Sequence, residues 1–381
     1  MPRVLLAGAF GQRNPGDDAL LSAFAAALPG WELVTPADNS AAIHCGDPVT
    51  AVPKVPRHVA TALLSSDAVV FGGGTVFKLL GAASGRHPLE LLLRGLTLAR
   101  AARALGRPVA LVGVGAGALG DRRARTLARR LATSADMLVV RDAESADILA
   151  DVGVPVPIRV GADAAWSLLA GPGPVTGPLP RRSRVVLTLS QHAGGLAAVP
   201  VLAGALAQFT RERDDVCSIH LEPWQLGGPG LDDLELARSL QAALHVAGCP
   251  DVTVGLPPTS LDSAARSYRD ARLVIGQRFH SLIAAAAVGC RFVAVPHEAK
   301  LAALGREFAQ ASLPADAGPR TVTDVLHGAI DGPRPDAATA ARHTRAANAM
   351  LALMRTLLDG GQDASSVELR ALQLRPEALV R

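Results

Sequence analysis

Aromatic residues are scarce in this chain of 381 residues: 3% in all, with one Tyr and three Trp. Single-stranded nucleic acid is bound on platforms of several exposed rings, so composition argues against that function. Cysteine is equally sparse. Cys45, Cys217, Cys249 and Cys290 stand far apart, with no C-x-x-C pair and no Cys/His cluster, which excludes a disulfide framework and a structural zinc. Long apolar runs are also missing: no window approaches the roughly 18 apolar residues that a spanning helix needs. The short run at Pro2–Ala9 gives way to Gly11, Gln12 and Arg13, well short of a signal peptide's apolar core. A cytoplasmic protein is the expectation.

What is present is the material of a well-packed globular chain, 49% hydrophobic and 19% charged, and longer than one compact core usually runs. Two domains follow. The net charge of +4 is a mild bias. Much of the basic surplus is Arg spread along helices (Arg122, Arg123, Arg125, Arg129, Arg130), which reads as a solvated face, so no nucleic-acid partner is expected. A peripheral contact with the inner membrane surface stays open, and oligomeric state is not legible.

Apolar runs of strand length recur, each followed by a turn and then an Ala/Leu/Arg-rich stretch with helical spacing, the βαβ rhythm. Strands are expected at Val4–Ala7, Glu32–Val34, Ala68–Phe71, Val109–Val114, Met137–Val140 and Ile158–Val160, with helices such as Asp18–Ala27 and Pro88–Leu105. The Gly- and Pro-rich stretch from Gly171 to Pro180 interrupts the pattern and marks a linker, set at 171–183. Strands then resume at Val185–Leu189, Cys217–Leu221, Val252–Val254, Leu273–Ile275 and Phe292–Val295. The prediction is α/β: two doubly wound, Rossmann-like domains facing across a cleft. Residues 1–170 form the first and 184–330 the second, with a helical tail at 331–381 carrying helices at Ala337–Leu358 and near Val367–Leu374. Ligands of such sheets bind beyond the carboxyl ends of strands, so the loops there are the candidate site.

Gly11 to Asp18 lies between the first strand and first helix. Its glycines permit close approach, and Asn14, Gly16, Asp17 and Asp18 are candidates for binding hydroxyls; Asp17 as a plain helix cap is the alternative. Gly72-Gly73-Gly74-Thr75 follows an apolar strand, and three successive glycines suggest that something passes close to the backbone. Gly113 to Ala118 fits G-x-G-x-x-A, a weak match to the dinucleotide fingerprint because the strand Met137–Val140 runs into Arg141 where an acidic residue is usual. Arg141 sits at a strand end, with Asp142 expected to cap the next helix.

The most informative segment is Ile275-Gly276-Gln277-Arg278-Phe279-His280, where a strand ends and an apolar helix begins. Cations are disfavoured at a helix N-terminus, so Arg278 and His280 there imply an anionic ligand that offsets the penalty. Pairing of Arg278 with Asp270 is the ordinary alternative. Lys300, after the next strand, is expected to join them, giving three groups that suit a ligand with a carboxylate and a phosphate.

In this order the loops resemble the polysaccharide pyruvyltransferase family over nearly the whole chain. Asn14-Pro15-Gly16-Asp17-Asp18 is similar to its N-x-G-D-[DE] stretch, Gly72-Gly73-Gly74 to its glycine triplet, and Val140-Arg141-Asp142-Ala143-Glu144-Ser145 to its V-R-D-x-x-S. Gly161-Ala162-Asp163-Ala164-Ala165 resembles its short Asp-containing stretch, Arg278-Phe279-His280 its R-L-H, and His297-Glu298-Ala299-Lys300 its Y-D-x-K. Three departures stand out: Phe279 for Leu, His297-Glu298 for Tyr-Asp, and Ser190-Gln191-His192 where relatives often carry Arg.

The resemblance implies a glycosyltransferase-B-like fold and a role in polysaccharide or cell-wall biosynthesis. It implies transfer of a pyruvyl group from phosphoenolpyruvate onto two hydroxyls of a sugar, as a ketal, with a sugar or lipid-linked glycan as acceptor. Donor binding then falls to Arg141, Gly276, Arg278, His280 and Lys300, with His280, Arg278 and Lys300 taking catalytic roles, and acceptor binding to Asn14, Gly16, Asp17, Asp18 and Gly72–Thr75. No metal or cofactor is expected. Competing readings are a nucleotide-sugar glycosyltransferase of the same architecture, a non-catalytic sugar- or anion-binding relative and, last, a dinucleotide-dependent oxidoreductase.

Overall fold

The computed structural model describes residues 1–37, 49–81, 85–169, 183–191, 195–227, 232–249, 251–314, 316–360 and 372–375. The linker at 171–180 and His192 lie outside the described residues. Contacts divide the chain into two units: Met1–Gln12, Asp17–Ser167 and His343–Arg381 form the first, Arg13–Gly16 and Leu168–Arg342 the second.

Strands β1 (Arg3–Ala7), β2 (Glu32–Ala37), β3 (Val49–Pro53), β4 (Ala68–Gly72), β5 (Thr75–Phe77), β6 (Val109–Ala116), β7 (Met137–Val140) and β8 (Ile158–Val160) belong to the first unit. They alternate with α1 (Pro15–Ala27), α2 (Pro56–Leu64), α3 (Glu90–Ala104), α4 (Arg122–Thr133) and α5 (Ala143–Val152). Helix starts are set by side-chain caps where the sequence supplies them: Asp121 accepts from Ala124 N at 3.3 Å and Asp142 from Ser145 N at 2.7 Å. Val69, Leu111, Val140 and Ile158 from the strands close over Leu96, Leu131 and Leu149 from the helices, all buried. Each such side chain contributes on the order of 1.5–3 kcal/mol by leaving water.

The second unit has β9 (Ser183–Thr188), β10 (Val216–Leu221), β11 (Val252–Val254), β12 (Ala271–Gly276), β13 (Phe292–Ala294) and β14 (Ala311–Ser312). Helices α6 (Gly195–Arg211), α7 (Asp233–Val246), α8 (Leu261–Tyr268), α9 (Phe279–Ala287), α10 (Ala299–Glu307) and α11 (Pro319–Asp331) connect them. The sheet is wholly parallel, in the order β11-β10-β9-β12-β13-β14. Its order reverses beside β9 and β12, the strands that lead to Ser190 and to Arg278, which is where such sheets place ligands.

The last elements are α12 (Ala337–Leu358) and β15 (Gln373–Arg375). In the first unit the order is β15-β8-β7-β6-β4-β1-β2-β3, with β5 on β6, and among the described strands only β15 runs antiparallel. The described residues of the expected tail at 331–381 do not stand apart, since α12 buries Ala347, Met350 and Met354 and β15 pairs with β8. The helix expected near Val367–Leu374 is corrected over its described part, where Gln373 and Leu374 lie in a strand. Strands β3, β5 and β14 were not legible: β3 is half-exposed and ends in Pro53, and the other two are three and two residues long.

Candidate active site

In the second unit β12 ends at Gly276, and Arg278 is the residue just before α9, with extended backbone (φ −91°, ψ 116°) and no side-chain capping bond. Its guanidinium is not free of acidic partners. Nη2 donates to Asp233 Oδ1 at 2.6 Å and Nε to Asp233 Oδ2 at 2.9 Å, while Nη1 donates to Gln225 Oε1 at 3.0 Å. Asp233 is 1% exposed and opens α7. The expectation of an uncompensated cation at the helix N-terminus is thus corrected: the offset to the dipole penalty comes from the protein, and from Asp233, not Asp270.

Lys300 lies in the first turn of α10, its Nζ 2.5 Å from Glu298 Oε2 and 5.4 Å from the centre of the Phe279 ring. That pair is partly exposed, 24% and 38%, and is held far less firmly than Arg278–Asp233. Phe279 in turn meets His280 edge-on, ring centres 5.7 Å apart. Lys300 thus lies against Phe279 and Phe279 against His280, while Arg278 and Lys300 each face a carboxylate.

His280 also meets Gly16, in the segment Arg13–Gly16 that groups with the second unit. A methyl group on Gly16 would stand 2.1 Å from His280 Nδ1, far inside contact distance. Helix α1 begins at Pro15, so Asp17 and Asp18 fall in its first turn and Asn14 takes the capping role, its Oδ1 accepting from Gly16 N at 3.0 Å. The capping alternative for Asp17 is replaced by Asn14.

Gly276 has a structural reason to be glycine. A side chain there would meet Leu282 at 2.6 Å, Thr188 Oγ1 at 2.9 Å and Ser281 Oγ at 3.0 Å, so its absence serves packing and not a ligand. Ser190 N bonds Gln277 Oε1 at 2.9 Å, and Gln191 N bonds Asp233 Oδ1 at 3.1 Å. Gln191 thus joins the Asp233 cluster.

In the first unit the glycine triplet is split in purpose. Gly72 packs against Leu6 and Phe24, and Gly73 against Leu20, while nothing lies within 4 Å of the place a side chain would take at Gly74. Only Gly74 leaves room for a ligand. Arg141, 5% exposed, lies over Gly115 and donates to Thr75 Oγ1 at 3.2 Å and Asp142 Oδ2 at 3.1 Å, with Asp163 Oδ2 3.7 Å away. Its neighbours are those of the glycine-triplet loop. Gly113 and Gly115 are inside β6, at and beyond a register shift against β7. They do not form a strand–turn–helix phosphate loop, which removes the basis of the dinucleotide reading.

Asp233, Gln225 and Glu222 were missed by sequence reasoning. Asp232-Asp233 opens a helix after β10, the same placement that singled out the other loops, and that was the available signal. Glu222 is buried at the end of β10, accepting from Trp224 Nε1 at 2.9 Å and from the Tyr268 hydroxyl. Burial pushes its carboxyl above the ordinary range, against the two hydrogen bonds that lower it, and pushes the Tyr268 phenol up as well. Among the described residues no group of His, Cys, Asp and Glu is placed to hold a metal ion, and no helix is long and apolar enough to cross a membrane.

The family model for polysaccharide pyruvyl transferase matches residues 14–298, most of the chain and every motif from Asn14 to Glu298. The chain belongs to the polysaccharide pyruvyl transferase family. No curated protein matches it in sequence. Among solved structures it is similar to S. aureus MnaA in a UDP co-structure, at 10% identity and TM-score 0.61, covering 96% of this chain and 99% of that one. The UDP-GlcNAc 2-epimerase from Methanocaldococcus jannaschii gives 10% and 0.58 over 94% and 99%. Anabaena HepE in complex with UDP-glucose gives 12% and 0.56 over 97% and 98%. At these identities the likeness concerns the fold, which is glycosyltransferase-B-like. This pyruvyl transferase relative is thus a transferase of polysaccharide biosynthesis by family, on two parallel-sheet α/β units.

Proposed function

We propose that this transferase moves a pyruvyl group from phosphoenolpyruvate onto two hydroxyls of one sugar, in a glycan or glycan precursor, and releases phosphate. The observation that carries the reading is His280 at the N-terminus of α9, next to Arg278 and against Gly16, within a chain of this family. An imidazole at a helix N-terminus, able to carry a proton and give it up, suits an anionic donor that must be protonated on carbon.

His280 gives a proton to the methylene carbon, leaving a cationic centre at the oxygen-bearing carbon, and one acceptor hydroxyl adds there and loses its proton. The carbon–oxygen bond to phosphate then breaks, and the second hydroxyl closes the ketal. Of the two hydroxyl protons, one restores His280 and one leaves with phosphate. Arg278 contributes directional N–H groups more than net charge, because Asp233 matches it. Lys300 exchanges the exposed Glu298 for the leaving phosphate. Asn14, Asp17, Asp18 and the Gly74–Thr75 edge of the triplet loop take the acceptor hydroxyls. The scheme uses no metal or cofactor.

Phosphate release from phosphoenolpyruvate that requires a sugar with two neighbouring hydroxyls, with a pyruvyl gain in the sugar's mass, supports this reading. Transfer of a sugar from a nucleotide donor with no reaction of phosphoenolpyruvate contradicts it.

A further inference from the structure

Five N–H groups belong to a guanidinium, and Arg278 uses three of them in its bonds to Asp233 and Gln225. Two remain. Asp233 also accepts from the backbone N–H groups of Gln191 at 3.1 Å, Trp224 at 3.2 Å and Gln225 at 3.0 Å, so five donors converge on one carboxylate. The loops after β9 and β10, and the start of α7, are thereby tied to the residue that precedes α9. Asp233 is 1% exposed, Gln225 6% and the Arg278 side chain 13%, so little room is left for Arg278 to choose another rotamer.

We infer that Asp233, with Gln225, is the positioning residue of the donor site: it fixes Arg278 so that the two unused N–H groups point as a pair toward one oxyanion of the donor. This rests on the phosphoenolpyruvate reading above and deepens it. The ion pair cancels the charge that a mobile arginine would bring and leaves a rigid hydrogen-bonding fork. Recognition there depends on geometry, so a carboxylate or phosphate with two coplanar oxygens is the chemical class it takes. Asp233 itself touches no substrate in this account.

The experiment measures phosphoenolpyruvate binding by calorimetry, and KM and kcat in phosphate release, for the full chain and for Asp233→Asn and Gln225→Met. Gln225→Met keeps the backbone donor to Asp233 and removes the Oε1 acceptor of Arg278. Loss of a hydrogen bond to a charged group gives an expected weakening of about tenfold for Asp233→Asn, and of roughly threefold for Gln225→Met, in KM and Kd with kcat little changed. Kd values within twofold of the unaltered chain for Gln225→Met and for any folded Asp233→Asn overturn the assignment, as does a fall in kcat alone. Should Asp233→Asn fail to fold, Gln225→Met decides. Absence of phosphoenolpyruvate binding in the unaltered chain instead overturns the donor reading on which the inference stands.

Discussion

Gly16 and His280 are in contact so close that no side chain is admissible at position 16, since the first carbon would reach His280 Nδ1 at 2.1 Å and its Cγ at 2.6 Å. An alanine there must turn the imidazole or lift the segment, and a displacement of about 1 Å at a reacting group costs on the order of 10²-fold. Gly16→Ala is expected to lower kcat by about that factor, together with a stability loss of about 1–3 kcal/mol from overpacking. Kinetics and a thermal melt on the same preparation check it; full turnover would separate Gly16 from the chemistry.

Replacement of His280 itself removes the proton donor. For His280→Ala a loss of about 10²–10⁴-fold in kcat is expected, with the fold retained, because general acid–base groups contribute in that range. Near-normal turnover would take His280 out of the reaction.

The glycine triplet separates packing from function. Gly73 has φ +67° and faces Leu20 at 2.7 Å, whereas Gly74 has φ +69° and open space. Gly73→Ala therefore meets both backbone strain and overpacking, about 2–4 kcal/mol together, while Gly74→Ala meets only the strain, about 1–2 kcal/mol. Denaturant unfolding is expected to rank them in that order. If Gly74 borders the acceptor, Gly74→Ala also raises the acceptor KM more than its stability loss explains.

Much of this architecture was legible because it is local. Helix α12 has the bounds that its periodicity gives, Ala337–Leu358, and β7, β8 and β11 coincide with their apolar runs. Arg278 and His280 could be placed at a helix N-terminus since Gly276 breaks the strand just before them. What could not be read was pairing: Asp233 lies 45 residues before Arg278, and no spacing rule connects them. For the same reason Gly276 and Gly72 looked like ligand-facing glycines when their neighbours are Leu282 and Phe24.

Glu222 supplies a pH signature. Burial raises its carboxyl in the folded state above the unfolded value, so folding favours the protonated form. Stability from this group is full below the unfolded carboxylate range and declines as pH rises through the raised folded value. Glu222→Gln keeps an oxygen for Trp224 and Tyr268 without the buried charge. The variant is expected to gain roughly 1 kcal/mol over the unaltered chain at neutral pH and to lose that advantage in acid. Unfolding free energies at several pH values give the difference; a constant offset contradicts it.

The donor is the centre of the account, and a thermal-shift comparison of phosphoenolpyruvate with UDP-sugars, GDP-sugars and NAD tests it most directly, because a ligand bound by the folded state alone raises the melting temperature. A rise with phosphoenolpyruvate, lost in Arg278→Ala and absent with the nucleotides, is the predicted result. A rise with a nucleotide sugar and none with phosphoenolpyruvate would contradict it.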